Sequence, residues 1–364
     1  VAVRPRHLAL ALGGLLLLYL LLWPVPIEPA PWSPPPDPGY TGPFAPNQGL
    51  GALERLPLAG YSGPEDLAVD AKGRLYVATH EGKILRLDPR GGSPQVFAET
   101  GGRPLGIDMG PDGTLFVADA YRGLLAITSS GAISTLVDAV GGEPLRYADN
   151  LAVTRDGETI YFSDASTKFG AEAWGGTFAA SKVDMMEHGG HGRLLVHHLT
   201  TGETKVLQTG LQFANGVALS EDETRLVVAE TGMYRVLAVH VAGPRAGETE
   251  VLLDNLPGFP DNVERGPRGW FWVGLVSARS KPLDALAGHP FLKRVVMRLP
   301  DAARPDAVPY GHVFAVDLQG KVQVDLQDPT GAYATTTGAL LSGRHLFVTS
   351  LTEPHLGRLT WSPP

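Results

Sequence analysis

The chain has no cysteine among its 364 residues. Disulfides, thiolate metal centres, iron–sulfur clusters and a cysteine nucleophile are therefore excluded, while the redox compartment stays open. Basic charge is also short, with 30 Lys and Arg against 38 Asp and Glu and a formal net charge of −8. No basic run and no interleaving of aromatic with basic residues offsets this, so binding of nucleic acid through its phosphates is excluded as a function. Hydrophobic residues make up 43% of the chain, ample for a large core.

The one long apolar run is Leu8 to Trp23, preceded by Arg4, Arg6 and His7. Nothing amphipathic in it suits the surface of a soluble domain. A signal peptide needs a small-residue cleavage site, and Pro24-Val25-Pro26-Ile27-Glu28-Pro29-Ala30 offers no good one. Residues 1–27 are thus read as an uncleaved signal anchor, a single transmembrane helix with its basic end in the cytoplasm. The bulk of the chain would lie on the non-cytoplasmic side, whether periplasmic, extracellular or lumenal. Residues 28–50 follow as a Pro-rich linker containing Pro34-Pro35-Pro36, expected to act as an extended, semi-rigid spacer that holds the next domain off the bilayer.

From residue 51 to 364 the pattern changes to short alternating or fully apolar runs divided by turns with Gly and Asp. One unit recurs, a pair of β-runs about a tight turn: Leu67 to Ala78, Gly106 to Asp119, Leu151 to Asp164, Val217 to Glu230, Val263 to Gly274 and, degenerate, Gly338 to Ser350. Copies spaced by roughly 40 to 50 residues predict an all-β, six-bladed β-propeller. A β-sandwich would not repeat one hairpin in this way. Insertions are expected at Phe169 to His191 and at Ser277 to Pro309, the second with a short helix near Leu283 to Ala287.

Four segments place a carboxylate or amide just before such a run: Glu65, Asn150, Asn215 and Asp261. In a propeller the first strand of every blade lines the central channel, so equivalent strand entrances converge on the axis. Two carboxylates and two amides suit a hard cation, Ca²⁺ first, with Mg²⁺, Mn²⁺ or Zn²⁺ as substitutes. Taken singly, each residue also fits a turn capped by its own side chain. Asn262 fits a fifth ligand or a turn residue equally well, and Asp66 and Asp149 are expected to face away or to support the ligands. The histidines at 188, 191, 197 and 198 lack zinc-ligand spacing, and His80, His345 and His355 suit ordinary surface or core roles.

The segments Gly102-Arg103-Pro104-Leu105-Gly106-Ile107, Leu115 to Tyr121, Phe213-Ala214-Asn215-Gly216-Val217 and Leu256 to Asn262 carry a family resemblance. They resemble the strictosidine synthase-like branch of the calcium-dependent propeller hydrolases, which include paraoxonases, SMP-30/gluconolactonase proteins and diisopropyl fluorophosphatase. The resemblance covers nearly the whole chain and implies a channel Ca²⁺ held by Glu65, Asn150, Asn215 and Asp261. Two departures stand out. Leu105 occupies the place of the paraoxonase catalytic histidine, and Thr335 to Leu340 has no acid where strictosidine synthase uses a glutamate, which argues against alkaloid synthesis. The expected function is a membrane-anchored, calcium-dependent hydrolase of small-molecule esters or lactones. In it the metal polarises the carbonyl, and Asp261 serves as nucleophile or general base. The alternative is a non-catalytic binding or scaffold propeller with a structural calcium.

Overall fold

In the first four blades the hairpin turn brings its own acceptor, Asp70, Asp112, Asp156 or Asp222. The Asp70 carboxylate takes the backbone N–H groups of Lys72 at 3.0 Å and Arg74 at 2.9 Å, and Gly73 supplies the positive φ the turn needs, 76°. Asp112 with Gly113 repeats the device, and at Asp222 the left-handed residue is Glu223. Apolar runs on both sides of these turns pair as antiparallel strands.

The computed structural model describes residues 5–361, and its strands assemble into six four-stranded antiparallel sheets, the expected six-bladed propeller. The innermost strands are Leu67–Val69, Pro104–Met109, Ala148–Val153, Ala214–Leu219, Gly258–Arg265 and Thr336–Ser342, and the first five sheets run outward in chain order. The sixth is composite. Its outermost strand is Glu54–Pro57, paired from Glu54 opposite Arg358 to Pro57 opposite His355, so the two ends of the propeller close the ring.

The core lies between sheets rather than at the axis. Ala68, Tyr76 and Ala78 of the first blade pack on Ile107, Leu115 and Val117 of the second, and Val227 and Val236 of the fourth on Val263, Phe271 and Phe314 of the fifth. Near the axis the blades crowd so closely that only glycine fits. A Cβ on Gly274 would lie 2.1 Å from the Thr337 carbonyl oxygen of the next blade. Gly274→Ala should therefore cost about 1–3 kcal/mol or more, read as a lower urea midpoint with an unchanged slope. A midpoint equal to that of the parent would show that the blades can part without cost.

Four helices accompany the strands: α1 (Pro5–Leu22), α2 (Thr177–Glu187), α3 (Lys281–Leu286) and α4 (Pro290–Val296). The last three fill the two expected insertions, each joining the second strand of a blade to the third. Because the strands alternate in direction, that connection lies at the same end of the propeller as the entrance to the first strand. The three helices consequently form a cap over that end. Val183 and Met186 of α2 meet Leu283 and Leu286 of α3, Val296 of α4, and Ile27 from the N-terminal segment.

Helix α1 is long and apolar enough to cross a membrane and buries none of its residues. The Pro-rich stretch after it is extended, but it is not a standoff spacer. It is strapped to the cap and the propeller wall. Ala30 N–H donates to the Glu187 carbonyl at 3.0 Å, Trp32 stacks on His188 with ring centroids 4.1 Å apart, and Asn47 Nδ2 donates to Asp325 at 2.7 Å. The reason is chemical: proline removes N–H donors but leaves carbonyl acceptors. Cations take these up, Lys293 Nζ at the Ala30 oxygen (3.2 Å) and Arg279 at the Pro35 oxygen (2.9 Å).

Candidate active site

The site is set by a slip in strand pairing. In five blades the register shifts at the start of the innermost strand, leaving two residues outside the ladder: Leu105-Gly106, Asp149-Asn150, Asn215-Gly216, Asp261-Asn262 and Thr337-Gly338. In the first blade Glu65-Asp66 holds the same place, Glu65 N–H bonding the Ala78 carbonyl and Ala78 N–H the Asp66 carbonyl, each at 3.0 Å. Bulges re-aim side chains, and here the two members of each pair part company.

Five of the first members turn to the channel mouth, while Thr337 donates to the Glu65 carbonyl at 2.6 Å. Glu65, Leu105, Asp149, Asn215 and Asp261 all line one pocket of about 890 Å³, part of it open to solvent. Where the second member has a side chain, at Asp66, Asn150 and Asn262, it reaches sideways and braces another blade; the other three are glycines. Asp66 accepts the Ile107 N–H at 2.8 Å, and Asn262 Nδ2 donates to the Glu65 carbonyl at 2.9 Å. Asn150 belongs with them: its Oδ1 accepts the Val217 N–H at 3.0 Å, and its Nδ2 donates to Asn262 at 3.1 Å. Of the four residues singled out in the sequence, Glu65, Asn215 and Asp261 thus come together in the pocket. Asn150 stands behind them as a brace, and Asp149, expected to face away or to support the ligands, takes its place. The signal was in the pairs themselves, since aligning Asp149-Asn150 with Glu65-Asp66 and Asp261-Asn262 selects the first residue.

Burial dominates the electrostatics. Glu65, Asp149 and Asp261 are 3%, 3% and 6% exposed, and desolvation pushes all three carboxyls above the usual range. Repulsion from Glu65 adds to the effect on the other two, so Asp149 and Asp261 are raised well above it. Arg103 opposes this from the side, Nη2 lying 3.7 Å from Glu65 Oε2. The arrangement is unsaturated. Glu65 Oε2, Asn215 Oδ1, and Nε and Nη2 of Arg103 are buried without a hydrogen-bond partner. Such orphans are uncommon in native interiors and point to a missing counterpart.

The walls are apolar, built by Leu105, Phe213, Phe259, Met185 and Leu283 with Tyr147. Tyr147 hydroxyl donates to the Thr177 carbonyl at the start of α2 (2.8 Å), and its N–H bonds Asp164, itself held by Arg193 at 2.8 Å. Sequence reading missed Tyr147, and it noted Arg103 only inside a family motif. No histidine is among the residues lining the pocket. His188 stacks on Trp32, His191 bonds Glu187 at 2.6 Å, and His197 and His198 bond Thr204 and Thr159. Among the described residues, no three His, Asp or Glu side chains group as a ready-made metal cage.

Two family profiles match the chain, one described as strictosidine synthase-like, N-terminal, over residues 42–87, the other as strictosidine synthase over residues 149–244. The adipocyte plasma membrane-associated protein of Salmo salar is 35% identical, the match covering 98% of this chain and 90% of that protein. The chain belongs to the strictosidine synthase-like family. The Homo sapiens adipocyte plasma membrane-associated protein is 33% identical over 97% of the chain and 88% of its own, and the strictosidine synthase-like 10 protein of Arabidopsis thaliana 32% over 80% and 84%. In fold, this strictosidine synthase-like chain is similar to a gluconolactonase from Xanthomonas campestris, with a TM-score of 0.62, 19% identity, and coverage of 93% of this chain and 99% of that one. A calcium-binding regucalcin from Agrobacterium tumefaciens gives 0.59, with 15% identity and coverage of 84% and 93%.

Proposed function

We propose that the chain is a membrane-anchored, calcium-dependent hydrolase of esters or lactones. The observation that carries this reading is the pair of buried oxygens without a hydrogen-bond partner, Glu65 Oε2 and Asn215 Oδ1, set beside carboxylates that repel one another. A cation relieves both defects. Oxygen donors of mixed carboxylate and amide type suit Ca²⁺ better than Mg²⁺, and the donors proposed are Glu65, Asp149, Asn215 and Asp261, with Asn150 and Asn262 bracing them from behind. When bound, the ion would supply Lewis-acid polarisation of a substrate carbonyl.

The protein's own groups do the rest. With Leu105 in the wall and no histidine lining the pocket, the role of nucleophile or general base is assigned to a carboxylate at the floor, Asp261. The apolar walls seat the acyl part and exclude water, which strengthens every charge interaction inside. Regucalcin and gluconolactonase names among the similar folds, and plasma membrane-associated names among the relatives, support the calcium, the small lactone or ester substrate and the membrane setting. The anchor would be α1, with Arg4 and Arg6 on the cytoplasmic side and the propeller opposite.

The full chain, purified in detergent, should turn over aryl esters or lactones with added Ca²⁺, stop in EDTA and recover on replenishment. Glu65→Gln should need a higher Ca²⁺ concentration. Chelator-insensitive turnover would remove the metal from the reaction. If Ca²⁺ raises thermal stability while no ester or lactone is consumed, the non-catalytic propeller with a structural calcium replaces this reading.

A further inference from the structure

We propose that the cap over the pocket mouth is a bilayer-docking surface, apposed to the leaflet from which α1 emerges, and that the pocket draws its substrate from that leaflet. The docking rests on α1 being membrane-inserted, and the delivery rests also on the hydrolase reading above.

The argument begins at the end of α1. Tyr19 hydroxyl donates to the Arg298 carbonyl at 3.0 Å, while Arg298 donates to the Leu20 carbonyl at 3.0 Å and the Trp23 carbonyl at 2.6 Å. These are the carbonyls a helix leaves unpaired at its C-terminus, where a cation is favoured. Arg298 lies just past α4, so no tether separates the apolar helix from the cap. Tyr19 and Trp23, with ring centroids 5.8 Å apart, are the residue types that settle at the boundary between lipid and water. With that boundary at Tyr19 and Trp23, the cap stands at headgroup depth.

The cap carries the side chains such a position requires. Beyond α1 and Trp23, the exposed large apolar residues among those described are Val96, Phe178, Val206, Leu207, Val251, Phe291, Leu292 and Val308. Both phenylalanines are on the cap: Phe291 and Leu292 on α4 (54% and 43% exposed) and Phe178 on α2, with Val308 in the loop beyond. The other four are valines and a leucine of outer strands. Lys281 and Arg294 are exposed beside these residues, as are Asp301 and Asp306, and Lys182 is half-buried. Aromatic and aliphatic tips among lysine and arginine are the pattern of a surface lying in the interface.

The pocket opens here. Phe178 and Leu283 line it together with Pro305, Asp306 and Ala307, and Lys182 bridges to Asp306 at 3.4 Å across the rim. A molecule leaving the leaflet would pass along apolar walls to the carboxylates at the floor. The fitting substrate is amphiphilic, an ester or lactone with a long hydrocarbon part.

The lack of native cysteine permits a clean test. Single-cysteine variants Phe178→Cys and Phe291→Cys, with Val96→Cys and Val251→Cys as outer-strand controls, are labelled with an environment-sensitive fluorophore in the full chain. Each is reconstituted in phosphatidylcholine nanodiscs. Cap labels should be quenched by lipid-borne nitroxide at least about fivefold more than the controls and be shielded from aqueous iodide. Iodide quenching equal to that of the controls overturns the docking. For delivery, the Phe291→Glu/Leu292→Glu variant changes only exposed positions outside the pocket lining. It should lower turnover of a bilayer-resident long-chain aryl ester about tenfold and leave that of a water-soluble aryl acetate unchanged. Equal effects on the two esters overturn delivery. Absence of turnover of both by the parent chain defeats the hydrolase reading, and the delivery with it, while the labels still decide the docking.

Discussion

Asp261→Asn should lower kcat for aryl ester hydrolysis by about a thousandfold or more, with a smaller change in KM, because it removes the assigned nucleophile or base. Asp149→Asn removes a proposed metal donor and leaves that group in place, so its loss should be partly reversed by raised Ca²⁺. Asp261→Asn should not recover. In EDTA the two variants share a second effect of opposite sign. Each deletes one of three buried carboxyls that desolvation and mutual repulsion hold above their usual range, so each should melt higher than the parent chain. An Asp261→Asn protein with parental kcat removes that side chain from the reaction, whatever its stability.

The second large effect is the coupling of metal, pH and stability. A carboxyl whose folded pKa lies above its unfolded value stabilises the fold fully below the unfolded value, near 4, and that contribution is lost as pH rises through the folded value. Glu65, Asp149 and Asp261 all shift in this direction, burial being the first cause in each. Metal-free protein should therefore lose stability as pH rises from about 5 to 8. Saturating Ca²⁺ should reverse the trend, since it binds the ionised form. At a free concentration a hundred times Kd the gain is about 2.7 kcal/mol, a rise in Tm of about 4 °C for a domain of this size. Differential scanning fluorimetry across pH, with and without EDTA, reads both effects. A pH-independent Tm in EDTA would show that these groups are not ionising against one another.

The fold was legible because a propeller writes its hairpin into the chain six times, and turn residues such as Asp70 and Gly73 mark each copy. Three of the pocket's polar residues were legible for the same reason. Asn150 was chosen over Asp149 because a strand entrance taken singly looks the same in sequence whether its first or second polar residue faces the axis; only the aligned pairs favour the first. The bulge decides between them, and it is a property of two strands paired, not of one. Tyr147 left no local trace and Arg103 none beyond its family motif, since their roles depend on contacts made only once the blades and the α2 insertion pack together. The strap was read as a spacer because proline spacing reports backbone stiffness but says nothing of where carbonyls find donors; Arg279, Lys293 and Arg298 lie more than 200 residues later.

The composite sixth sheet fixes when this protein can finish folding. Glu54–Pro57 leaves the ribosome soon after α1, yet its partner His355–Thr360 is made only after all the other blades. Until then the nascent chain holds an unpaired edge strand beside an open fan of blades, a state prone to pairing with other chains. The proposed membrane insertion of α1 would keep that strand near the membrane and its own chain, away from the strands of others.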